Sequence, residues 1–175
     1  PEAILVGSGL GCTEDTEKFL NSLIDNDEAF MTPTAFIQST HNTVGAQIAL
    51  SLGCKNYNNT YVHGNLSFES ALLDAQLLVE EGEKGAMLVG GVEELGREFT
   101  TYLRQLEDKK SDSFKVPIGE GATFFVVSSE KKKDSIELKG METIKSASEA
   151  QLKERLQHFL KQHQLQKWDI DAIII

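Results

Sequence analysis

One junction in the sequence is the place to look for a nucleophilic side chain. The β-prone run Asn59–Val62 is followed by His63-Gly64-Asn65, and a long amphipathic pattern begins at Ser67. Amides at a helix N-terminus lower the pKa of a thiol and stabilise an anion, so a nucleophile would be effective at such a place. The residue there is Asn65, and an amide cannot attack a thioester. Ser67 would be a nucleophile only with a base beside it, and His63 is near in sequence.

Two roles are open for Asn65. Asparagine is a good N-cap residue, so capping of the following helix is the first expectation. The second is a polar role in a pocket that has lost its nucleophile.

The remaining cysteines and histidines do not form a metal or disulfide pattern. Cys12 and Cys54 are 42 positions apart and lack CxxC spacing, which predicts neither a disulfide nor a thiolate metal site. The histidines share no ligand spacing either: His41, His63, His158 and His163. We therefore expect no metal and no cofactor. Two lone thiols in an acidic chain without a signal peptide are typical of a reducing cytoplasm.

A glycine-rich turn follows the first apolar run, as in dinucleotide-binding proteins. Gly7-Ser8-Gly9-Leu10-Gly11 lies between a strand and a helix, but Cys12 occupies the place of the third glycine of that fingerprint. Glu14 and Asp15 would also repel a pyrophosphate at the helix N-terminus. We therefore predict that the turn serves close backbone packing. For Gly119-Glu120-Gly121-Ala122 we expect a tight crossing in which Glu120 satisfies loop amides.

Composition and charge narrow the classes of partner. The chain has 175 residues, of which 40% are hydrophobic and 25% charged, and no apolar run approaches the length of a membrane span. A net charge of −10 argues against nucleic-acid and membrane-surface partners. The basic cluster Lys131–Lys133 is either a solvated turn or a docking point for an acidic carrier protein.

Hydrophobic periodicity predicts alternating strands and helices, with Thr13 as the N-cap of the first helix. The predicted strands are Ala3–Val6, Asn59–Val62, Ala86–Val92, Thr123–Val127, Ile136–Ile144 and Ile170–Ile175. The predicted helices are 14–24, 43–52, 67–81 and 151–164, with 97–113 as a loop or an exposed helix and 26–33 as a turn. This order predicts an α/β fold with a mostly parallel sheet covered on both faces. Because the sequence begins and ends in apolar strands, we expect a fragment of a longer protein.

Several segments together resemble the β-ketoacyl-acyl-carrier-protein synthases. They are Asn42–Ala49, Ser70–Ala75 followed by Gly82, Leu88–Glu94, and Ile118–Ala122 with its Gly-Glu-Gly-Ala stretch before a buried strand. The resemblance implies the thiolase fold, a layered α/β architecture with a mixed sheet. It also implies that 1–150 is the N-terminal half, incomplete at its start, and that 151–175 begins the second half.

The same resemblance locates the missing nucleophile. The cysteine of the family lies six residues before the alanine that matches Ala71, and that position is Asn65. Where the family has Thr-Ala-Cys, this sequence has His63-Gly64-Asn65. By local alignment, neither Cys12 nor Cys54 can take the place of the family's cysteine. The two catalytic histidines of the family belong to its second half and fall outside this sequence.

The function implied is that of a catalytically silent subunit, similar to the chain length factors of aromatic polyketide synthases. Such a subunit shapes an acyl pocket in fatty-acid, polyketide or polyene assembly. The implied partners are an acyl carrier protein or acyl thioester, and a ketosynthase or a second copy that pairs near Tyr61. One alternative is an active 3-oxoacyl synthase or acyltransferase that uses Ser67 or a residue outside this sequence. Another is an α/β module that binds a small molecule or nucleotide.

Overall fold

The computed structural model describes residues 1–29, 33–82, 85–108, 119–144 and 146–173. The chain divides into two compact units, Pro1–Glu130 and Lys131–Ile175. The boundary at residue 150, which refers to the two halves of the family fold, stays a prediction.

The first unit is a mixed sheet with helices, as the sequence predicts. Its strands are β1 (Ala3–Gly7), β2 (Tyr57–Tyr61), β3 (Met87–Glu93) and β4 (Gly121–Val127). Its helices are α1 (Thr13–Asp25), α2 (Pro33–Ser39), α3 (Thr43–Leu52), α4 (Ser67–Glu80) and α5 (Arg97–Asp108). The strand order is β2-β1-β3-β4, with β1 parallel to β2 and β3, and β4 antiparallel to β3. The α/β class with a mostly parallel sheet is confirmed.

Helices cover the sheet on both faces because β1 is apolar on both. Ala3 and Leu5 belong to the buried cluster on the α4 face, together with Ala71 and Ala75 of the helix. Residues alternate between faces along a strand, so Val6 points the other way, where a Cβ on Gly45 of α3 would lie 3.4 Å from its Cγ2. The predicted apolar stripe of α4 and the central position of β1 are both confirmed.

The prediction of Thr13 as an N-cap is wrong. Helix α1 begins at Thr13 itself, and Cys12 occupies the cap position without a side-chain hydrogen bond. The Thr13 hydroxyl instead donates to the Glu94 carbonyl at 2.7 Å and accepts from the Gly96 amide at 2.6 Å. The hydroxyl is used to hold α1 against the loop after β3, a long-range contact that no local pattern reveals.

Helix α2 and strand β4 differ from the expectations for the first unit, whereas the 97–108 segment takes one of its two predicted forms. Helix α2 was not predicted, although Pro33 is a suitable first helical residue. The 97–113 segment forms an exposed helix over 97–108, and 109–113 lie outside the described residues. Strand β4 is not buried: in the described residues it borders only β3, and most of its side chains are exposed.

The second unit contains helix α6 (Glu149–Gln162) and a short 3-10 turn, Lys167–Asp169. The predicted helix is confirmed, and it begins with a capping box between Ser148 and Gln151. The predicted strand Ile136–Ile144 is wrong, since this segment is irregular and Ile136 is 99% exposed. Residues 170–173 form no strand either, and 174–175 lie outside the described residues. A β-prone run needs a neighbouring strand to satisfy its backbone, and the described residues of this unit provide none.

Candidate functional site

An open cleft of about 1060 Å³ lies at the carboxyl ends of β1 and β3. This end of a parallel sheet is where α/β proteins bind their ligands. Much of its lining is glycine or apolar: Gly7 and Gly9, Gly64, Gly91, Gly119 and Gly121, Phe68 and Phe125. Asn65 and Glu93 add polar groups. The cleft therefore offers space beside exposed backbone, with few charged side chains.

The junction between β2 and α4 forms one wall of this cleft. Gly64 has φ +59°, a left-handed conformation that favours glycine, and Gly64–Leu66 form one 3-10 turn ahead of Ser67. Asn65 is the exposed middle residue of this turn and lines the cleft. The cap position of α4 is Leu66, and neither helical segment has a side-chain cap. The expected capping role of Asn65 is therefore wrong, because the 3-10 turn places it within the helical region.

The Ser67 hydroxyl forms hydrogen bonds within the junction His63–Ser67, which we call the elbow. Ser67 is only 3% exposed. Its Oγ donates to the Gly64 carbonyl at 2.6 Å and accepts from the His63 amide at 2.9 Å. Both hydrogen bonds stay within the elbow, so the hydroxyl holds the turn that presents Asn65.

The His63 ring faces Ser70 rather than Ser67. Its Nδ1 lies 2.8 Å from the Ser70 Oγ, whose hydroxyl is also 2.8 Å from the Leu66 carbonyl. A hydroxyl has one proton, and the carbonyl can only accept it, so His63 Nδ1 must act as the donor to Ser70. In this arrangement Nδ1 is not a base toward either serine.

The glycine-rich turn packs directly against the elbow. A Cβ on Gly7 would lie 2.4 Å from the carbonyl carbon of Ser67, and one on Gly9 would lie 2.9 Å from the Gly64 oxygen. Contacts this short with backbone atoms admit no side chain at either position. The predicted role of the turn in close backbone packing is confirmed.

The amides of that turn are already occupied by protein oxygens. The Glu93 carboxylate accepts from the amides of Gly9 and of Leu10, the latter at 3.0 Å, and the Ser8 hydroxyl accepts from the Gly11 amide at 2.8 Å. A phosphate would need these donors and would be repelled by Glu93. The geometry agrees with the rejection of a dinucleotide site.

Other carboxylates at the ends of strands hold loops in the same way. Glu94 accepts from the Glu14 amide at 2.9 Å, at the start of α1. Glu120 accepts from the Leu95 amide at 3.3 Å, which confirms that this residue satisfies a loop amide. The role of Glu93 was not predicted, although a pair of carboxylates at the end of a buried strand was the available signal.

Neither cysteine is placed to act as the missing nucleophile. Burial raises the pKa of the Cys12 thiol above its ordinary value, and the Glu94 and Asp15 carboxylates raise this pKa further. The Cys54 Sγ lies 3.3 Å from the Pro1 carbonyl. Neither cysteine is among the residues that line the cleft. Among the described residues, the elbow thus carries an amide where a thiol would be effective.

Residues 4–172 match the family model described as "Beta-ketoacyl synthase, N-terminal domain". The chain belongs to the β-ketoacyl synthase family. Its fold is accordingly thiolase-like, as expected. In this β-ketoacyl synthase domain, the elbow and its cleft lie where the resemblance places the nucleophile, and the residue there is Asn65.

Solved structures with a similar fold include ketosynthase complexes. One is a ketosynthase in complex with its chain length factor from Xenorhabdus doucetiae, with 22% identity, a TM-score of 0.52, and coverage of 58% of this chain and 42% of that one. Another is the ishigamide ketosynthase/chain length factor, with 22% identity, a TM-score of 0.60, and coverage of 72% of this chain and 35% of that one. A third is a type II polyketide synthase acyl carrier protein in complex with its ketosynthase bound to the hexaketide. The identity is 23%, the TM-score is 0.60, and the match covers 72% of this chain and 38% of that one.

At these identities the similarity establishes the fold, and this β-ketoacyl synthase domain spans less than half the length of those chains. The comparison with curated protein sequences gives no match. Among the described residues, no helix combines the length and the apolar character needed to cross a bilayer.

Proposed function

We propose that this domain belongs to a catalytically silent, ketosynthase-like subunit that shapes an acyl pocket within a dimer. The pocket would take the acyl chain of an acyl carrier protein or of another acyl thioester. The pathways that suit such a subunit are polyketide, polyene and fatty-acid assembly. We place the protein in the cytoplasm because it is acidic and carries two unpaired thiols.

The observation that carries this proposal is the identity and setting of Asn65. It is exposed at the elbow, lines the cleft, and cannot form an acyl-enzyme. The next two serines along the chain are engaged in other hydrogen bonds: Ser67 closes the elbow, and Ser70 bonds to the Leu66 carbonyl and to His63. A pocket that has kept its shape and lost its nucleophile is suited to guide a chain that another active site extends.

The edge of the sheet provides a surface for the partner subunit. Strand β2 is the first strand of the order β2-β1-β3-β4, so in the described residues its outer side borders no other strand. Such an edge is available for pairing with a strand of another subunit. The elbow follows β2 directly, so pairing here would bring the partner close to Asn65.

A condensation assay tests the proposal. The complete gene product, purified alone and supplied with acyl- and malonyl-loaded carrier proteins, is expected to yield no β-ketoacyl product. Addition of an active ketosynthase that co-purifies with it should give product whose chain length changes when the cleft residue Phe68 is replaced by alanine. Product formation by the protein alone would refute the silent-subunit proposal and favour the alternative, an acyltransferase with a different nucleophile.

A further inference from the structure

Helix α5 contributes Leu103 to the wall of the cleft, but few of its apolar side chains are packed. Phe99, Tyr102 and Leu106 lie at helical spacing around Leu103, and all three are exposed. Among the described helices and strands, α1 is the element that makes more than marginal contact with α5. The position of Leu103 therefore depends on how α1 holds α5.

Three polar side chains on one face of α1 hold the start of α5. They are Thr13, Glu17 and Asn21, which bond to Gly96, Phe99 and Glu98, respectively. Because they are four positions apart, they lie one above the other on the helix surface. All three partners belong to the first turn of α5 or directly precede it, so α1 holds this helix by one end.

Glu17 supplies the cap that α5 lacks in its own sequence. Gly96 precedes the helix and has no side chain, and a Cβ there would overlap the Glu17 carboxylate. The Glu17 carboxylate accepts from the Phe99 amide at 2.7 Å, one of the first-turn amides that have no partner within a helix. A negative charge at this end is also favoured by the helix dipole. Loss of Glu17 would therefore free the first turn of α5.

One turn of helix connects this cap to the cleft. Leu103 comes four residues after Phe99, on the same face and about 6 Å further along the axis. Two other apolar residues of the cleft have firmer support: the Leu10 amide bonds to Glu93, and Phe68 packs against the buried core. Leu103 is thus the part of the wall that the tethered end of α5 positions.

We propose that Glu17 is a positioning residue: by capping α5 it holds Leu103 in the wall of the cleft and so limits the length of the acyl chain. Glu17 is not among the residues that line the cleft, so it acts through α5. This inference rests on the proposed function, because it concerns the acyl chain that the cleft would hold.

The first test is the labelling rate of a cysteine at position 103 in the complete gene product. Leu103→Cys is combined with each Glu17 variant, and peptide mapping follows the reaction with N-ethylmaleimide. Glu17→Ala should speed the labelling at least about tenfold, because an uncapped α5 opens more often. Glu17→Gln keeps an acceptor oxygen in place and should leave the rate of Leu103→Cys unchanged.

Two controls separate this effect from general unfolding. Asp25→Ala changes an exposed carboxylate at the end of α1 and should leave the labelling of Leu103→Cys unchanged. Cys12 should keep its own labelling rate in every variant, because the fold around the glycine-rich turn stays intact.

The second test is the chain length of the product made with the co-purifying ketosynthase. Glu17→Ala and Leu103→Ala should each raise the share of longer products at least about fourfold, the gain in affinity from burying one further methylene. The double variant should match Leu103→Ala alone, because both changes act on the same wall. A merely structural role of Glu17 would lower the yield without changing the distribution of chain lengths.

Equal labelling of position 103 in the Glu17→Ala and Asp25→Ala backgrounds would overturn the inference. So would an unchanged distribution of chain lengths in Glu17→Ala, or shifts that add in the double variant. If the wild type makes no product with the ketosynthase, the silent-subunit proposal fails, whereas the labelling rates still decide whether Glu17 positions Leu103.

Discussion

Replacing Asn65 by cysteine is expected to give the protein a thiol that accepts an acyl group. The side chain at 65 is exposed in the turn before α4 and lines the cleft. Amides at the N-terminus of α4 would lower the pKa of a thiol there, whereas burial and two carboxylates raise the pKa of Cys12. One pKa unit changes the thiolate fraction near neutral pH about tenfold. We therefore expect iodoacetamide to label the Asn65→Cys thiol at least about tenfold faster than Cys12.

Peptide mapping after exposure to an acyl thioester measures the same prediction by mass. The Asn65→Cys variant should carry an acyl adduct at position 65, and Asn65→Ser, which changes the same site without a thiol, should carry none there. Cys12 and Cys54 serve as internal controls in both variants. Equal labelling of all three thiols in Asn65→Cys would contradict the assignment of the elbow as a nucleophile position.

The second large effect is expected on stability. Gly7→Ala should lower the free energy of unfolding by about 3 kcal/mol or more. The added Cβ would lie 2.4 Å from the carbonyl carbon and 2.5 Å from the carbonyl oxygen of Ser67. These are backbone atoms, so no side-chain rotation relieves the overlap and α4 must move away from β1. Urea denaturation of the wild type and the variant measures the change.

Gly119→Ala is the matched control for this substitution. Among the described residues, a Cβ on Gly119 would meet nothing within 4 Å, and Gly119 is not one of the glycines found there with a positive φ. The control should unfold within about 0.5 kcal/mol of the wild type, as surface substitutions usually do. If Gly7→Ala is equally mild, the close packing of β1 on the elbow is incorrect.

The first unit was largely predictable because its signals are local and strong. Ala3–Val6 is apolar on both faces, which requires cover from both sides and leads to a central parallel strand. Gly53 and Gly82 ended their helices as predicted, and both have positive φ. The apolar stripe on Ala71 and Ala75 predicted the face of α4 that packs on the sheet.

The errors come from residues whose partners are distant in sequence. Thr13 has the right type for an N-cap, but its hydroxyl bonds to Glu94 and Gly96, more than 80 positions away. The run after Ser135 is β-prone, but in the described residues it has no strand beside it, and β-propensity reflects packing on neighbours more than backbone preference.

The location of Asn65 between a strand and a helix was predicted from the sequence, but the hydrogen bonds around it were not. The position of Asn65 at a strand-to-helix elbow followed from spacing and from resemblance. The hydrogen bonds of His63 with Ser70, and of Ser67 with Gly64, depend on side-chain directions within one turn. The role of Glu93 depends on a turn 84 residues earlier in the chain. Spacing alone specifies neither.

The most direct measurement of the central claim is the intact mass of the complete wild-type gene product after incubation with acyl- and malonyl-loaded carrier protein. A ketosynthase known to load under the same conditions provides the positive control, and thermal unfolding confirms that the protein is folded. We predict an unchanged mass, because the elbow presents Asn65 and the neighbouring hydroxyls are held in hydrogen bonds. An added acyl mass would contradict the claim, and peptide mapping would then identify the residue that acts as the nucleophile.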